Sequence, residues 1–104
     1  MILQISDDEN IKVKIANNFF KKLIGFMGKK DFDYGIIFPK TNSIHTFFMK
    51  ENIVVVFTDK NNKILKIKNT PKNKILFCKS AYYTYEFPYY ATIDDINYIL
   101  KSNS

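Results

Sequence analysis

The chain has 104 residues, of which 46% are hydrophobic and 16% aromatic, so its composition excludes wholesale disorder. Its length predicts one domain, residues 1–104, with a sizeable core. The formal net charge is +6, but all 16 basic residues are lysines. Because arginine is the preferred residue for bidentate contacts with phosphate and guanine, this composition argues against specific nucleic-acid binding.

The sequence also limits redox chemistry and targeting. A single cysteine, Cys78, excludes an internal disulfide. No apolar run approaches the ~20 residues of a membrane-spanning helix, and the opening "MILQISDDEN" lacks the basic segment of a secretory signal. We therefore expect a cytoplasmic protein without membrane insertion, and the sequence leaves the oligomeric state open.

In the first third of the chain, the spacing of the apolar residues changes once, from the two-residue repeat of a strand to the repeat of a helix. Residues 1–5 and 11–16 are predicted strands joined by a polar turn, and in the second strand apolar residues alternate with lysines. In residues 17–28 the apolar side chains instead recur at helical spacing, and Gly28 suits the end of a helix. This segment predicts one short amphipathic helix.

The rest of the chain is predicted to be mostly strands. They cover residues 34–38, 43–49, 53–58, 64–68, 75–78 and 81–87. The final segment begins like a capped helical turn, with Thr92 at the cap and Asp95 at the third position after it. The pattern predicts a mainly β fold with one short helix (α+β), either a small antiparallel β-sandwich or an open barrel.

His45 is the only histidine, and it lies within an apolar stretch, "NSIHTFFMK". A strand over residues 43–49 would be central, covered on both sides, with His45 bordering a core. One face would carry Ser43, His45, Phe47 and Met49, and the other Ile44, Thr46, Phe48 and Lys50. Two interpretations stay open: a core histidine bonded to a backbone carbonyl, or a residue at a pocket rim that donates to a ligand.

The residues that could support catalysis or metal binding are few. One histidine, one cysteine and no clustered carboxylates at ligand spacing predict no metal and no cofactor. Cys78 follows an apolar run, where a small buried thiol is the usual finding. A nucleophilic pair of Cys78 and His45 stays possible if the fold brings them together.

Tyrosines form the other unusual feature of the sequence. They are Tyr82, Tyr83, Tyr85, Tyr89 and Tyr90, grouped around Glu86. Aromatic rings with polar tips suit a surface for a ligand or partner, but they also suit the core of a small β domain without tryptophan. Both interpretations stay open, with the structural one favoured.

Five motifs taken in order resemble domain-of-unknown-function family 192. They are "IGFMGK" at 24–29, "GIIF" at 35–38, "NSIHTFFMK" at 42–50, "VVFTDKNNKIL" at 55–65 and "YEFP" at 85–88. The resemblance implies a compact β-rich domain with no established activity, and it puts Glu86 at the family's acidic position. The family commonly has an aspartate where this chain has Val54, so a carboxylate that could orient His45 or pair with Lys50 is missing here.

Taken together, these features predict a non-enzymatic binding domain with a shallow pocket for an unknown small molecule or peptide. The predicted ligand-binding residues are His45, Thr46, Met49, Lys50 and Glu86. One alternative is a small hydrolase-type enzyme that uses His45. Another is a protein-interaction module that uses the Tyr82–Tyr90 face.

Overall fold

The computed structural model describes residues 2–4, 12–16 and 34–102. Its elements are β1 Ile2–Gln4, β2 Lys12–Ile15, β3 Tyr34–Pro39, β4 Ser43–His45, β5 Ile53–Thr58, β6 Ile64–Thr70, β7 Ile75–Phe77, β8 Tyr83–Pro88 and the helix α1 Ile93–Ser102. The helix predicted over residues 17–28 lies outside the described residues. The helical turn predicted after Thr92 is confirmed and extends to ten residues.

The strands form two sheets of unequal size. The main sheet has six strands in the order β1-β2-β3-β8-β5-β6, and the small sheet pairs β4 with β7. All neighbours are antiparallel except β2 and β3, which run parallel. The predicted mainly β fold with antiparallel pairing is confirmed, and the sheets do not close into a barrel.

Strand β5 occupies the interior of the main sheet. Its sequence, "IVVVFT", is rich in β-branched residues, which favour extended backbone and pack well on a pleated surface. It pairs with β8 on one side and β6 on the other, and all six of its residues are buried. A strand covered on both faces can be apolar at every position, so β5 shows no alternation.

The helix α1 covers one face of the main sheet. Its start is a capping box, in which the Thr92 N–H donates to Asp95 Oδ2 and the Asp95 N–H donates to Thr92 Oγ1, both at 3.1 Å. The buried residues on this face, which we call the helix cluster, are Val13, Ile37, Val54, Val56, Tyr85, Phe87, Ile96, Ile99 and Leu100. The apolar stripe of α1 therefore fixes the helix against β5 and β8.

The small sheet covers the opposite face of the main sheet. The buried residues there, which we call the inner cluster, are Ala16, Ile36, Phe38, Met49, Ile53, Val55, Phe57 and Leu76. Ile44 of β4 and Cys78 pack against this cluster. In register, Ile44 is opposite Leu76, so this pair forms the inward side of the small sheet.

Gly35 in β3 is required by a close approach between strands. A Cβ atom at this position would lie 2.8 Å from Cδ1 of the Phe87 ring and 3.2 Å from the Glu86 carbonyl oxygen. Contacts this short are repulsive, so a side chain here would force the Phe87 ring or strand β8 to shift. The glycine of the "GIIF" motif therefore has a packing reason.

The predicted strand over residues 43–49 is wrong beyond His45. The strand ends at His45, a turn follows at Phe47 and Phe48, and Phe48 has a φ of 62°. A backbone angle in the left-handed region breaks the extended conformation, so the alternation of faces predicted through Met49 does not hold. The strand is also not central, because β4 pairs only with β7 among the described strands and its Ser43 is exposed.

Candidate functional site

Thr46 holds the turn after β4 against the loop that precedes β7. Its side chain is 1% exposed, and its hydroxyl donates to the Pro71 carbonyl at 2.8 Å and accepts from the Lys74 N–H at 2.7 Å. The Thr46 N–H donates to the Lys74 carbonyl at 2.8 Å, and the Asn73 N–H donates to the Thr46 carbonyl at 3.1 Å. This set of bonds makes Thr46 a structural anchor.

His45 stands on the outward side of the small sheet. It is opposite Ile75, whose side chain is 69% exposed, while the neighbouring Ile44 points inward. The imidazole is half-buried and stacks on the Phe47 ring at 5.3 Å between centroids. Its Nδ1 accepts the Phe47 N–H at 3.2 Å, so the expected bond to a backbone carbonyl is replaced by a bond to a backbone donor.

The surroundings of His45 form an exposed apolar surface, which we call the outer face. It comprises His45, Phe47, Ile75 and Phe77, and the next residue of the turn, Phe48, is also exposed. Phe77 is 56% exposed and Phe48 is 74% exposed, and the pleat puts Ile75 and Phe77 on the same side of β7. Sequence reasoning missed Ile75 and Phe77: alternation could have paired them with each other, but nothing local predicts that β7 lies beside β4.

Glu86 and Met49 are on the other side of the small sheet from His45. Glu86 is 2% exposed and pairs in register with Ile36 and Val55, which belong to the inner cluster. Met49 is a buried member of the same cluster. The structure therefore brings Met49 and Glu86 to one side of the main sheet but does not bring Glu86 to the imidazole.

Lys50 is the last of the predicted ligand-binding residues, and Val54 stands where the family commonly has an aspartate. Lys50 is exposed and directly follows Met49. Val54, at the family's usual aspartate position, is buried in the helix cluster. An aspartate at that position of this chain would lie under α1, on the face of the main sheet opposite the small sheet that carries His45. The ligand-binding role of His45, Thr46, Met49, Lys50 and Glu86 stays a prediction.

The tyrosines divide between core and surface. Tyr85 is buried and stacks on Phe87 at 5.7 Å in the helix cluster, whereas Tyr82 and Tyr83 are half-buried. Within residues 82–90, the pair after β8 is the well-exposed part, with Tyr89 and Tyr90 in an edge-on contact at 5.5 Å. Most of the segment 82–90 is therefore buried or half-buried in the domain, and its exposed part is limited to Tyr89 and Tyr90.

Cys78 and His45 are separated by the small sheet. Cys78 is a free, half-buried thiol that packs against the inner cluster, whereas the imidazole points outward. Within residues 2–4, 12–16 and 34–102, no three His, Cys, Asp or Glu side chains gather in a way that could hold a metal ion. The described part of the chain also contains no helix of the length and apolarity needed to cross a membrane.

Comparison with known proteins identifies a family without an established activity. The model of domain-of-unknown-function family 192, described as "Uncharacterized ACR", matches residues 1–100. A UPF0127 protein of Pyrococcus horikoshii is 36% identical over 84 residues, covering 74% of this chain and 72% of that protein. A UPF0127 protein of Thermococcus sibiricus is 36% identical over 63 residues, which cover 55% of this chain but only 41% of that protein.

Two solved structures share the fold. A protein of unknown function from Novosphingobium aromaticivorans superposes with a TM-score of 0.65 at 14% identity, covering 73% of this chain and 61% of that one. A protein from Sinorhizobium meliloti, described as a candidate transcription regulator, gives a TM-score of 0.67 at 16% identity, covering 75% and 68%. At these identities the likeness concerns the fold alone.

Proposed function

This chain belongs to domain-of-unknown-function family 192, and we propose that it is a non-enzymatic binding domain whose outer face docks an extended acidic peptide. In this proposal the side chains of His45 and Lys50 contact the peptide at the protein surface. The other three predicted residues are buried, so in this proposal they support the outer face and do not contact the peptide: Thr46, Met49 and Glu86. Thr46 anchors the turn, and Met49 packs in the inner cluster beneath the small sheet.

The observation that carries the proposal is the exposure of three large apolar side chains on the same side as one imidazole, with a fourth, Phe48, in the adjoining turn. Phe47 is 38% exposed, and Phe48, Ile75 and Phe77 are each more than half exposed. Scattered apolar residues are ordinary on a surface, but a group of aromatic and aliphatic side chains on one side of a sheet is typical of an interaction site. Aromatic residues are also enriched among the anchors of interfaces.

Charge complementarity favours an acidic partner. From Lys60 to Tyr85 the sequence contains seven lysines and no aspartate or glutamate. Lys72 and Lys74 lie three residues and one residue before the exposed Ile75, and Lys79 lies two residues after Phe77. All three lysines are exposed. A peptide with carboxylates between its apolar side chains would meet lysines at the rim and apolar side chains at the centre.

Strand geometry favours an extended conformation for the peptide. Each strand of the small sheet pairs with only one neighbour among the described strands. Such an edge can accept an added strand through main-chain hydrogen bonds, while alternate side chains of the peptide reach the exposed face. The proposed partner is therefore an extended segment that alternates acidic and apolar residues.

The contacts of the polar groups support binding over catalysis. The Thr46 hydroxyl is engaged by the backbone of Pro71 and Lys74, so it is not directed at the imidazole. The thiol of Cys78 packs on the inward side of the small sheet, away from His45. A hydrolase would need a nucleophile within about 2.6–3.2 Å of the histidine.

A labelled ten-residue peptide alternating glutamate with leucine and phenylalanine tests the proposal. We expect saturable binding in fluorescence anisotropy, and amide shifts in NMR spectra at residues 43–48 and 74–77. Phe77→Ala should weaken binding at least 10-fold, and the double variant Lys72→Gln with Lys74→Gln should weaken it at moderate salt. The matched control is Tyr98→Ala, which removes an aromatic ring that is 49% exposed on α1.

The proposal fails if Phe77→Ala and Tyr98→Ala bind the peptide equally well. It also fails if the peptide does not bind while an oligothymidine of ten nucleotides does, because stacking and lysine contacts would then indicate single-stranded nucleic acid. His45→Gln tests the imidazole separately: loss of the stacked ring should weaken binding about 3-fold or more without changing the fold.

A further inference from the structure

A cleft lies between the turn that joins β5 to β6 and the side of α1. Its volume is about 430 Å³. It is lined by Asn61, Asn62, Lys63, Ile64, Asn97, Leu100 and Lys101. This size falls within the range of small-molecule sites. The cleft is on the helix side of the main sheet, so it is separate from the outer face.

The lining of the cleft combines positive charge with amides. Two of its seven residues are lysines and three are asparagines, and none is acidic. Leu100 and Ile64 supply an apolar floor, because Leu100 is buried in the helix cluster and Ile64 packs against it. Ammonium groups and amide N–H donors around an apolar floor are a suitable set of partners for an organic oxyanion.

The turn wall of the cleft is held rigid by Asp59. One carboxylate oxygen of Asp59 accepts the Asn61 N–H at 2.8 Å and the Lys63 N–H at 2.9 Å. The Asp59 N–H donates to the Lys63 carbonyl at 3.0 Å, which closes the turn. Because this carboxylate is engaged by the backbone of its own turn, it orders the wall, and the lysine side chain extends from a fixed backbone position.

The amide of Asn62 is oriented by the core. Asn62 has a φ of 61°, and its side-chain oxygen accepts the Tyr85 hydroxyl at 2.9 Å. Burial raises the pKa of Tyr85 well above its ordinary value, so the phenol keeps the proton that it donates. Since the amide oxygen accepts from Tyr85, the Nδ2 group is the part of the Asn62 side chain that can donate to a ligand.

The helix wall presents side chains one turn apart. Asn97 and Lys101 are four residues apart in α1, so they lie on the same side of the helix, and both are exposed. Lys101 is in the last turn of α1, where its charge offsets the negative end of the helix dipole. The positive charge is therefore on both walls of the cleft.

From these features we infer that the cleft binds a small organic anion, whose carboxylate or phosphate group contacts Lys63 and Lys101 while the asparagine amides orient the rest. This site goes beyond the peptide-docking function and does not depend on it. An oxyanion would gain two charge-assisted contacts from walls that the fold has already positioned.

NMR titration of the full chain with inorganic phosphate, and separately with succinate, tests the site. We expect saturable shifts at the amides of residues 61–64 and 97–101 with at least one of the two anions. Which of the two binds more tightly identifies the preferred group. Lys63→Gln with Lys101→Gln should weaken binding at least 10-fold.

The double variant Lys72→Gln with Lys74→Gln is the matched control, because it lowers the net charge equally but leaves the cleft intact. It should change anion binding less than 2-fold, although it is expected to weaken peptide docking. The inference is overturned if both double variants weaken anion binding equally, since the effect would then be bulk charge. It is also overturned if neither anion shifts the cleft amides below 20 mM.

Discussion

The segments 43–49 and 53–58 were both predicted to be strands, but they adopt different structures. Residues 53–58 form β5 and are buried on both faces, whereas residues 43–49 form a three-residue strand and a turn that leaves Phe47 and Phe48 exposed. Residues 43–49 have four apolar residues of seven and residues 53–58 have five of six, so apolar residues are the majority in both. What differs is the number of strands that pair with each segment, and this depends on residues far away in the sequence.

The polar residues of the two segments explain part of the difference. Within 53–58 the only polar side chain is Thr58, at the end of the strand. In 43–49 the polar Thr46 follows the strand directly, and its hydroxyl satisfies two backbone groups of the loop around residues 71–74. A buried hydroxyl with such partners favours a turn anchored to a loop over a continued strand.

The largest expected effect compares phenylalanines from the two sheets. Phe57→Ala removes a ring that is fully buried, and we expect a loss of about 3–5 kcal/mol in the free energy of unfolding. Phe77→Ala removes a ring of the outer face and should cost less than about 1 kcal/mol. Urea unfolding of both variants measures the difference. Equal losses would mean that the outer face is covered in solution.

Thr46→Val sharpens the comparison at the anchor of the small sheet. Valine keeps the shape of threonine but leaves the Pro71 carbonyl and the Lys74 N–H without the hydroxyl, so we expect a loss of about 1–3 kcal/mol. Thr46→Ser keeps the hydroxyl and is the matched control. The anchor role would be refuted if the serine variant were the less stable of the two.

Gly35→Ala tests the close approach of strands inside the main sheet. The added methyl group would lie against the Phe87 ring and the Glu86 carbonyl, so we expect destabilisation of about 1–3 kcal/mol. Ser43→Ala, at an exposed position of the small sheet, should stay within about 0.5 kcal/mol of the original protein. Thermal unfolding monitored by circular dichroism would report both, and a neutral Gly35→Ala would show that β3 and β8 can separate.

The smallest effect concerns Tyr85 and has a defined pH dependence. Tyr85→Phe removes the hydrogen bond to Asn62 and should cost about 0.5–1.5 kcal/mol near pH 8. Because burial raises the pKa of Tyr85 in the folded state, its stabilising contribution is complete below the ordinary value of about 10 and is lost as the pH rises above it.

Because of this one group, the free energy of unfolding should fall by at most about 1.4 kcal/mol for each pH unit above pH ~10. The original protein should therefore lose stability faster than Tyr85→Phe between pH 10 and pH 11, as measured by urea unfolding at each pH. The other tyrosines and the lysines affect both proteins alike, so the difference isolates Tyr85. Parallel slopes would contradict the raised pKa.

Much of the fold was predictable because it follows from local patterns. Alternation in 64–68 and the apolar run in 53–58 predicted strands β6 and β5, and Thr92 with Asp95 predicted the start of α1. The apolar run at residues 75–78 also predicted β7, although the strand ends at Phe77. These features depend on side chains near one another in the chain.

The candidate sites were less predictable because they depend on pairing between distant segments. The sequence grouped His45 with Glu86, but strand register puts their side chains on different sides of the small sheet. It passed over Ile75 and Phe77, which become part of the outer face only because β7 lies beside β4. It also gave no sign that the turn at Asn62 and the helix at Lys101 would enclose one cleft.

The sequence by itself determined a lysine-rich, mainly β chain, the main strand segments and the capped start of α1, because propensity, periodicity and capping act over a few residues. Only the tertiary structure decided which apolar side chains stay in water and which polar ones are enclosed. The physical reason is that the exposure of a side chain depends on what packs over it, and in this protein the covering elements come from distant parts of the chain.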